Sequence, residues 1–206
     1  MATVVFTIGA VVAAVLLGLL VLTLLVRPLR IWPTPGPGSW QSYVFWPLFR
    51  SLNVLCFAVS LAGGTAFLGL PAWARLVASL LLALSLALFI YSFRVLGRDN
   101  SYGAQDGLVT GGIYRWSRNP QNAMLIVVYG CLAFAADSAP AYVVCAAMMA
   151  VYFLMVLAEE PWLEAAYGEP YSRYCRRVPR FFNWRRAAVQ ARAALRRPRR
   201  QLPVAR

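Results

Sequence analysis

TVVFTIGAVVAAVLLGLLVLTLLV, residues Thr3–Val26, decides the fold. It carries no charge, and a hydrocarbon core about 30 Å thick takes about 20 apolar residues in helical form. It lacks the basic start and small-residue cleavage site of a signal peptide and is too long for one, so it reads as a retained first span. The loop from Arg27 to Gly38 follows, punctuated by Pro28, Pro33, Pro35 and Pro37. Hydropathy then places a second span at about Leu52–Leu70, with Gly63 and Gly64 inside it as a close-packing site or local break. Pro71 marks a turn, and a third span covers Leu76–Phe93. A polar stretch from Arg94 to Asn122 leads into a short apolar run, Met124–Ala136, and a last span, Ala141–Ala158. The expectation is an all-α polytopic membrane protein with five transmembrane helices.

Composition agrees. Of 206 residues, 61% are hydrophobic and 13% charged, against about 45–50% and about 25% in soluble domains. All 20 basic residues are arginine, histidine is absent, and the net charge is +13. Histidine triads, histidine metal sites, Schiff-base lysines and lysine-bearing phosphate loops are therefore excluded. Cys56, Cys131, Cys145 and Cys175 form no C-x-x-C pair, and three lie in apolar runs as small hydrophobes. Neither a disulfide framework nor a metal site is assigned.

With five spans, nineteen of the twenty arginines fall on one side and only Arg75 on the other. The positive-inside rule makes the rich side cytoplasmic and the N-terminus external, in a plasma membrane that the lysine-free composition marks as bacterial. Three regions follow: residues 1–93 with three spans, a core over 94–183, and a basic tail over 184–206. The tail is either an amphipathic helix on anionic headgroups or a disordered basic segment. Nucleic acid is not its expected partner.

Two cytoplasmic segments carry candidate chemistry. In the first, Gly111 and Gly112 admit close backbone approach, and Asn119-Pro120 opens a helix whose unpaired N–H groups suit a carboxylate. In the second, Glu159 and Glu160 close the last span. Helical neighbours diverge by about 100°, so at most one can face a given ligand. Carboxylates at a helix C-terminus meet the negative end of the dipole and require a cation: a ligand, or Arg94, Arg118 or Arg177. Gly168 and Pro170 then punctuate two short helices. Arg173, Arg176, Arg177 and Arg180 form a basic stripe beside Tyr171 and Tyr174 if the helix reaches Pro179.

Together these segments read Gly112-x-Tyr114-Arg115-x-x-Arg118-Asn119-Pro120, then Glu159-Glu160-Pro161, then Tyr167-Gly168-x-x-Tyr171-x-x-Tyr174 and Val178-Pro179-Arg180. This order resembles the integral-membrane methyltransferases, which include isoprenylcysteine carboxyl methyltransferases and phospholipid N-methyltransferases. The former usually show His-Pro where this chain has Asn119-Pro120; the latter can show Asn-Pro. The resemblance implies a cytoplasmic S-adenosylmethionine site formed by the loop and the C-terminal segment. Gly112, Tyr114, Arg118, Asn119 and Pro120 would hold the nucleoside and amino-acid end. Glu159 and Glu160 would meet its cationic part, and Tyr171 and Tyr174 would close over it. Glu160 is a candidate base, and Arg177 or Arg180 a candidate anchor for a carboxylate acceptor. The acceptor would be a lipid or hydrophobic small molecule, a phospholipid amine, prenylcysteine-type carboxylate or thiol, entering between the fourth and fifth spans. The competing readings are a membrane reductase using a nicotinamide dinucleotide and a non-catalytic membrane scaffold.

Overall fold

A computed structural model describes residues 2–97 and 107–182 of the chain; the basic tail and its expected headgroup contacts lie outside the described residues. The described residues are helical, without strands. α1 (Ala2–Leu25), α2 (Trp40–Leu61), α3 (Ala72–Leu96) and α5 (Ala139–Tyr167) are long and apolar enough to cross a membrane, and α4 (Pro120–Ala136) is a shorter apolar helix. A last helix, α6, covers Glu169–Arg177.

α1, α2, α4 and α5 form the packed bundle. Its centre contains Leu16 and Leu20 of α1, Phe45 and Leu52 of α2, Tyr129 of α4, and Met148 and Tyr152 of α5. Gly9 lets α1 approach α5, since a Cβ there would already touch Val144. Lipid tails are as apolar as leucine, so this close fit, rather than release of water, holds the helices together. Tyr129 and Tyr152 both donate their hydroxyls to the amide oxygen of Asn53, giving three helices one polar junction. α3 stands apart, packing along α4.

The second span differs from the expectation of residues 52–70. α2 starts twelve residues earlier, where Ser39 caps it by accepting the Ser42 N–H, and it stops at Leu61 before Gly63 takes a left-handed φ of 70°. Pro47 and Arg50 mimic a loop in hydropathy yet lie within the helix. Arg50 is therefore a mid-helix residue rather than part of a cytoplasmic loop. α5 also outruns its expected end at Ala158, continuing through Pro161 to Tyr167. Glu159 and Glu160 thus sit two turns inside a helix, and the dipole argument does not apply to them. The basic stripe ends early: α6 stops at Arg177, and Val178, restricted by the following proline, is extended.

At the end opposite the polar loops, Asp137 binds the α2–α3 connection to the α4–α5 turn. Its carboxylate accepts the N–H groups of Leu68 (3.0 Å) and Leu70 (2.9 Å), and its carbonyl accepts that of Phe67. Burial acts to raise the Asp137 pKa, but the two amides, Tyr142 and Arg75 outweigh it and hold the carboxyl below its usual value. A depressed folded-state pKa contributes stability that is present above the unfolded value and lost as pH falls through the folded one. Thermal unfolding in detergent should therefore show a melting temperature that drops as pH is lowered below about 4. Asp137→Asn should start several degrees lower and show a flatter dependence.

Candidate functional site

The site begins with a clamp. Glu160 accepts Arg118 Nη2 through one carboxylate oxygen at 2.6 Å and Arg180 Nε through the other at 2.9 Å. Arg118 also donates through Nη1 to the carbonyls of Cys175 (3.1 Å) and Val178 (3.3 Å), and its backbone N–H bonds Pro179. Asn119 Nδ2 bonds the Arg180 carbonyl, and the Tyr174 hydroxyl bonds the Tyr114 carbonyl at 2.6 Å. These contacts bring the loop before α4, the end of α5 and the segment after α6 together. Tyr171, Tyr174 and Val178 supply the apolar seal.

Beneath the clamp lies a cavity of about 460 Å³, a size usual for small-molecule sites. Of the residues singled out in the sequence, Tyr114, Arg118, Asn119, Glu159, Tyr171 and Tyr174 line it. The two glutamates divide as their helical spacing requires. Glu160 is bound to two guanidiniums, while Glu159 lines the cavity and makes no ion pair among the described residues. Gly112, Pro120, Glu160, Arg177 and Arg180 do not line it. Gly112 serves packing: at φ +56°, a Cβ would lie 3.3 Å from Val95 of α3. Pro120 is the buried first residue of α4. Arg180 belongs to the clamp, and Arg177 is exposed.

The N-terminal half of the wall was not foreseen. Trp32, Trp46, Phe49 and Asn53 line the cavity, and the three aromatic ones belong to a chain of ring contacts. Trp32 stacks on Phe45 at 4.8 Å, Phe45 on Phe49 at 5.2 Å, and Phe49 meets Tyr152 edge-on at 5.6 Å. A signal was present: residues 46, 49, 50 and 53 fall on one helical face, with two polar members in an apolar helix. The 52–70 reading had cut that helix in two.

Among the described residues, Arg118 Nε and Ser138 Oγ are buried without a hydrogen-bond partner, while Trp32 Nε1 faces the Glu159 carboxyl and the Tyr114 hydroxyl faces the Gln121 amide. Trp32, Tyr114 and Arg118 all line the cavity. A buried donor without a partner is rare in folded proteins, and Arg118 Nε beside a carboxyl that makes no ion pair among the described residues fits a polar, partly cationic ligand. Burial pushes the Tyr114, Tyr171 and Tyr174 hydroxyls above the ordinary tyrosine range, so they remain protonated donors at neutral pH.

Residues 73–170 match the family model for phospholipid methyltransferase, in agreement with the integral-membrane methyltransferase pattern read from the sequence. The matched span takes in the loop, α4, all of α5 and the start of α6. No curated protein and no solved structure matches the chain.

Removing one partner from a buried ion pair costs about 3–5 kcal/mol, and the Arg118–Glu160 pair is 11% and 15% exposed. Glu160→Gln should release α6, so trypsin should cut after Arg173, Arg176 and Arg177 at least about tenfold faster. Glu159→Gln should leave these cuts at the wild-type rate, as mass spectrometry of timed digests would show.

Proposed function

We propose that this chain is an integral-membrane methyltransferase that moves a methyl group from S-adenosylmethionine to a lipid or hydrophobic small-molecule acceptor. The observation that carries the reading is the Glu159 carboxyl, without an ion pair among the described residues, in a wall of aromatic and donor groups, with Glu159 itself in the segment matching phospholipid methyltransferase. When bound, the cofactor supplies a methyl group on a cationic sulfur; its carbon–sulfur bond breaks as the acceptor's bond to carbon forms.

Glu159 and the Trp32 indole would receive the cationic end, since an aromatic ring attracts positive charge. Arg118 Nε and the Tyr114 hydroxyl would receive the carboxylate end, with Asn119 alongside. Tyr171 and Tyr174 would exclude water above them. Glu160 and Arg180 act as positioning residues: they hold Arg118 and the C-terminal segment in place. Alignment and exclusion of water are the protein's main contributions to such a displacement. An amine acceptor must also lose a proton. Glu160 is bound by two arginines and the tyrosines stay protonated, so Glu159 or water takes it.

The arginine distribution supports a plasma-membrane orientation with the N-terminus outside. Phe67 and Asp137 meet at one end of the bundle, whereas Arg30, Arg118 and Arg180 gather at the other.

Calorimetry on the full chain in lipid nanodiscs should detect S-adenosylmethionine binding and none of a nicotinamide dinucleotide. Glu159→Gln should weaken it about 10- to 100-fold, the loss expected for a charge-assisted contact worth about 1.5–3 kcal/mol. Absence of binding to the wild-type chain would overturn the assignment. Transfer of a labelled methyl group into a total lipid extract, read by mass, would identify the acceptor.

A further inference from the structure

Arg50 takes no part in the clamp. It lies midway along α2 with an exposed side chain, and it lines the cavity. Its guanidinium stands 5.4 Å from the ring centre of Trp46, one turn earlier. Among the described residues it has neither an ion pair nor a hydrogen bond. A charge within a transmembrane helix is costly and marks a functional position unless it is neutralised.

The neighbouring packing shows what approaches it. α2 packs on α1, α4 and α5, and α3 packs along α4; α2 and α3, although consecutive, share no packing seam. Both nevertheless wall the cavity, α2 through Arg50 and Val54 and α3 through Phe89 and Phe93. Val54 is 67% exposed while lining it and lies within a helix long and apolar enough to cross a membrane, so the cavity opens to the outside of the bundle between these helices. The fourth and fifth spans, between which the sequence places acceptor entry, pack against one another.

We propose that Arg50 is a specificity-determining residue: the acceptor enters between α2 and α3 with its chain along Val54, Phe89 and Phe93 and its anionic group on the Arg50 guanidinium. This rests on the acceptor being a lipid, as argued above, and narrows it to an amphiphile bearing a phosphate or carboxylate. The guanidinium fork suits either oxyanion. The guanidinium also lies over the Trp46 ring, and only arginine offers an oxyanion a planar two-donor fork, so lysine is not an equivalent replacement.

The test reads lipid binding without donor. The full chain in neutral detergent is titrated with dioleoyl phosphatidic acid, oleate and dioleoylglycerol, and bound lipid is counted by native mass spectrometry. Wild type should prefer at least one anionic lipid to dioleoylglycerol by about tenfold, and Arg50→Gln should reduce this to within about twofold. Phosphatidic acid and oleate separate the phosphate from the carboxylate source. Arg50→Lys should recover only part of the preference, and Arg173→Gln, on the exposed face of α6, should keep all of it. Val54→Trp should weaken all three lipids by filling the opening. Two results overturn the proposal. One is a preference that survives Arg50→Gln or vanishes equally in Arg173→Gln. The other is an Arg50→Gln chain with intact lipid preference and weakened S-adenosylmethionine binding, which would assign Arg50 to the donor. A wild-type chain that selects anionic lipid through Arg50 yet binds no S-adenosylmethionine would sink the donor assignment alone.

Discussion

The Glu160 carboxylate, held between Arg118 and Arg180, is the interaction on which the polar end of this protein depends. Three segments distant in sequence meet there: the loop before α4, the interior of α5 and the strand-like stretch after α6. Neither the loop nor the stretch after α6 has an apolar face wide enough to assemble by packing alone. Tyr171, Tyr174 and Val178 form only a small buried cluster. A mostly buried guanidinium with three acceptors fixes direction as well as distance, because its donors lie in one plane. The arrangement also accounts for the difference between the two adjacent glutamates. One is consumed by structure, and the helical turn between neighbours leaves the other facing the cavity.

Much of the architecture was legible because membrane spans obey a length rule. The charge-free run of α1, the third span and the apolar body of α5 needed only hydropathy and the 1.5 Å helical rise. The errors fall where a polar residue sits inside a helix. Pro47 and Arg50 moved the expected second span toward the C-terminus, and Glu159-Glu160-Pro161 ended the last one too early. In both places tertiary partners keep the helix intact: an aromatic wall for α2, a double ion pair for α5. Sequence patterns register the cost of such residues without registering the compensation.

The candidate site was legible in one half. Tyr114, Arg118, Asn119, Glu159, Tyr171 and Tyr174 line a common cavity, and the order of their motifs in the chain indicated as much. The shared face of Trp46 and Asn53 was present in the sequence but divided by the expected helix start at Leu52, and Trp32, in the loop before α2, carried no signal because its place depends on stacking against Phe45. Gly112 illustrates a different ambiguity. A glycine in a polar loop invites a ligand, but here it meets Val95, and only coordinates distinguish the two.

The shortness of α4 has a consequence for the lipids around it. Its 17 residues amount to about 25 Å of helix, against a hydrocarbon core of about 30 Å. Such a mismatch is relieved in part by pinching the bilayer around the shorter segment. α3 packs along this helix, so the thinned region extends to it. Under the lateral entry proposed above, headgroups in that region would stand nearer the level of Arg50 than in an undeformed bilayer, and the membrane's own shape would shorten the path of an incoming lipid.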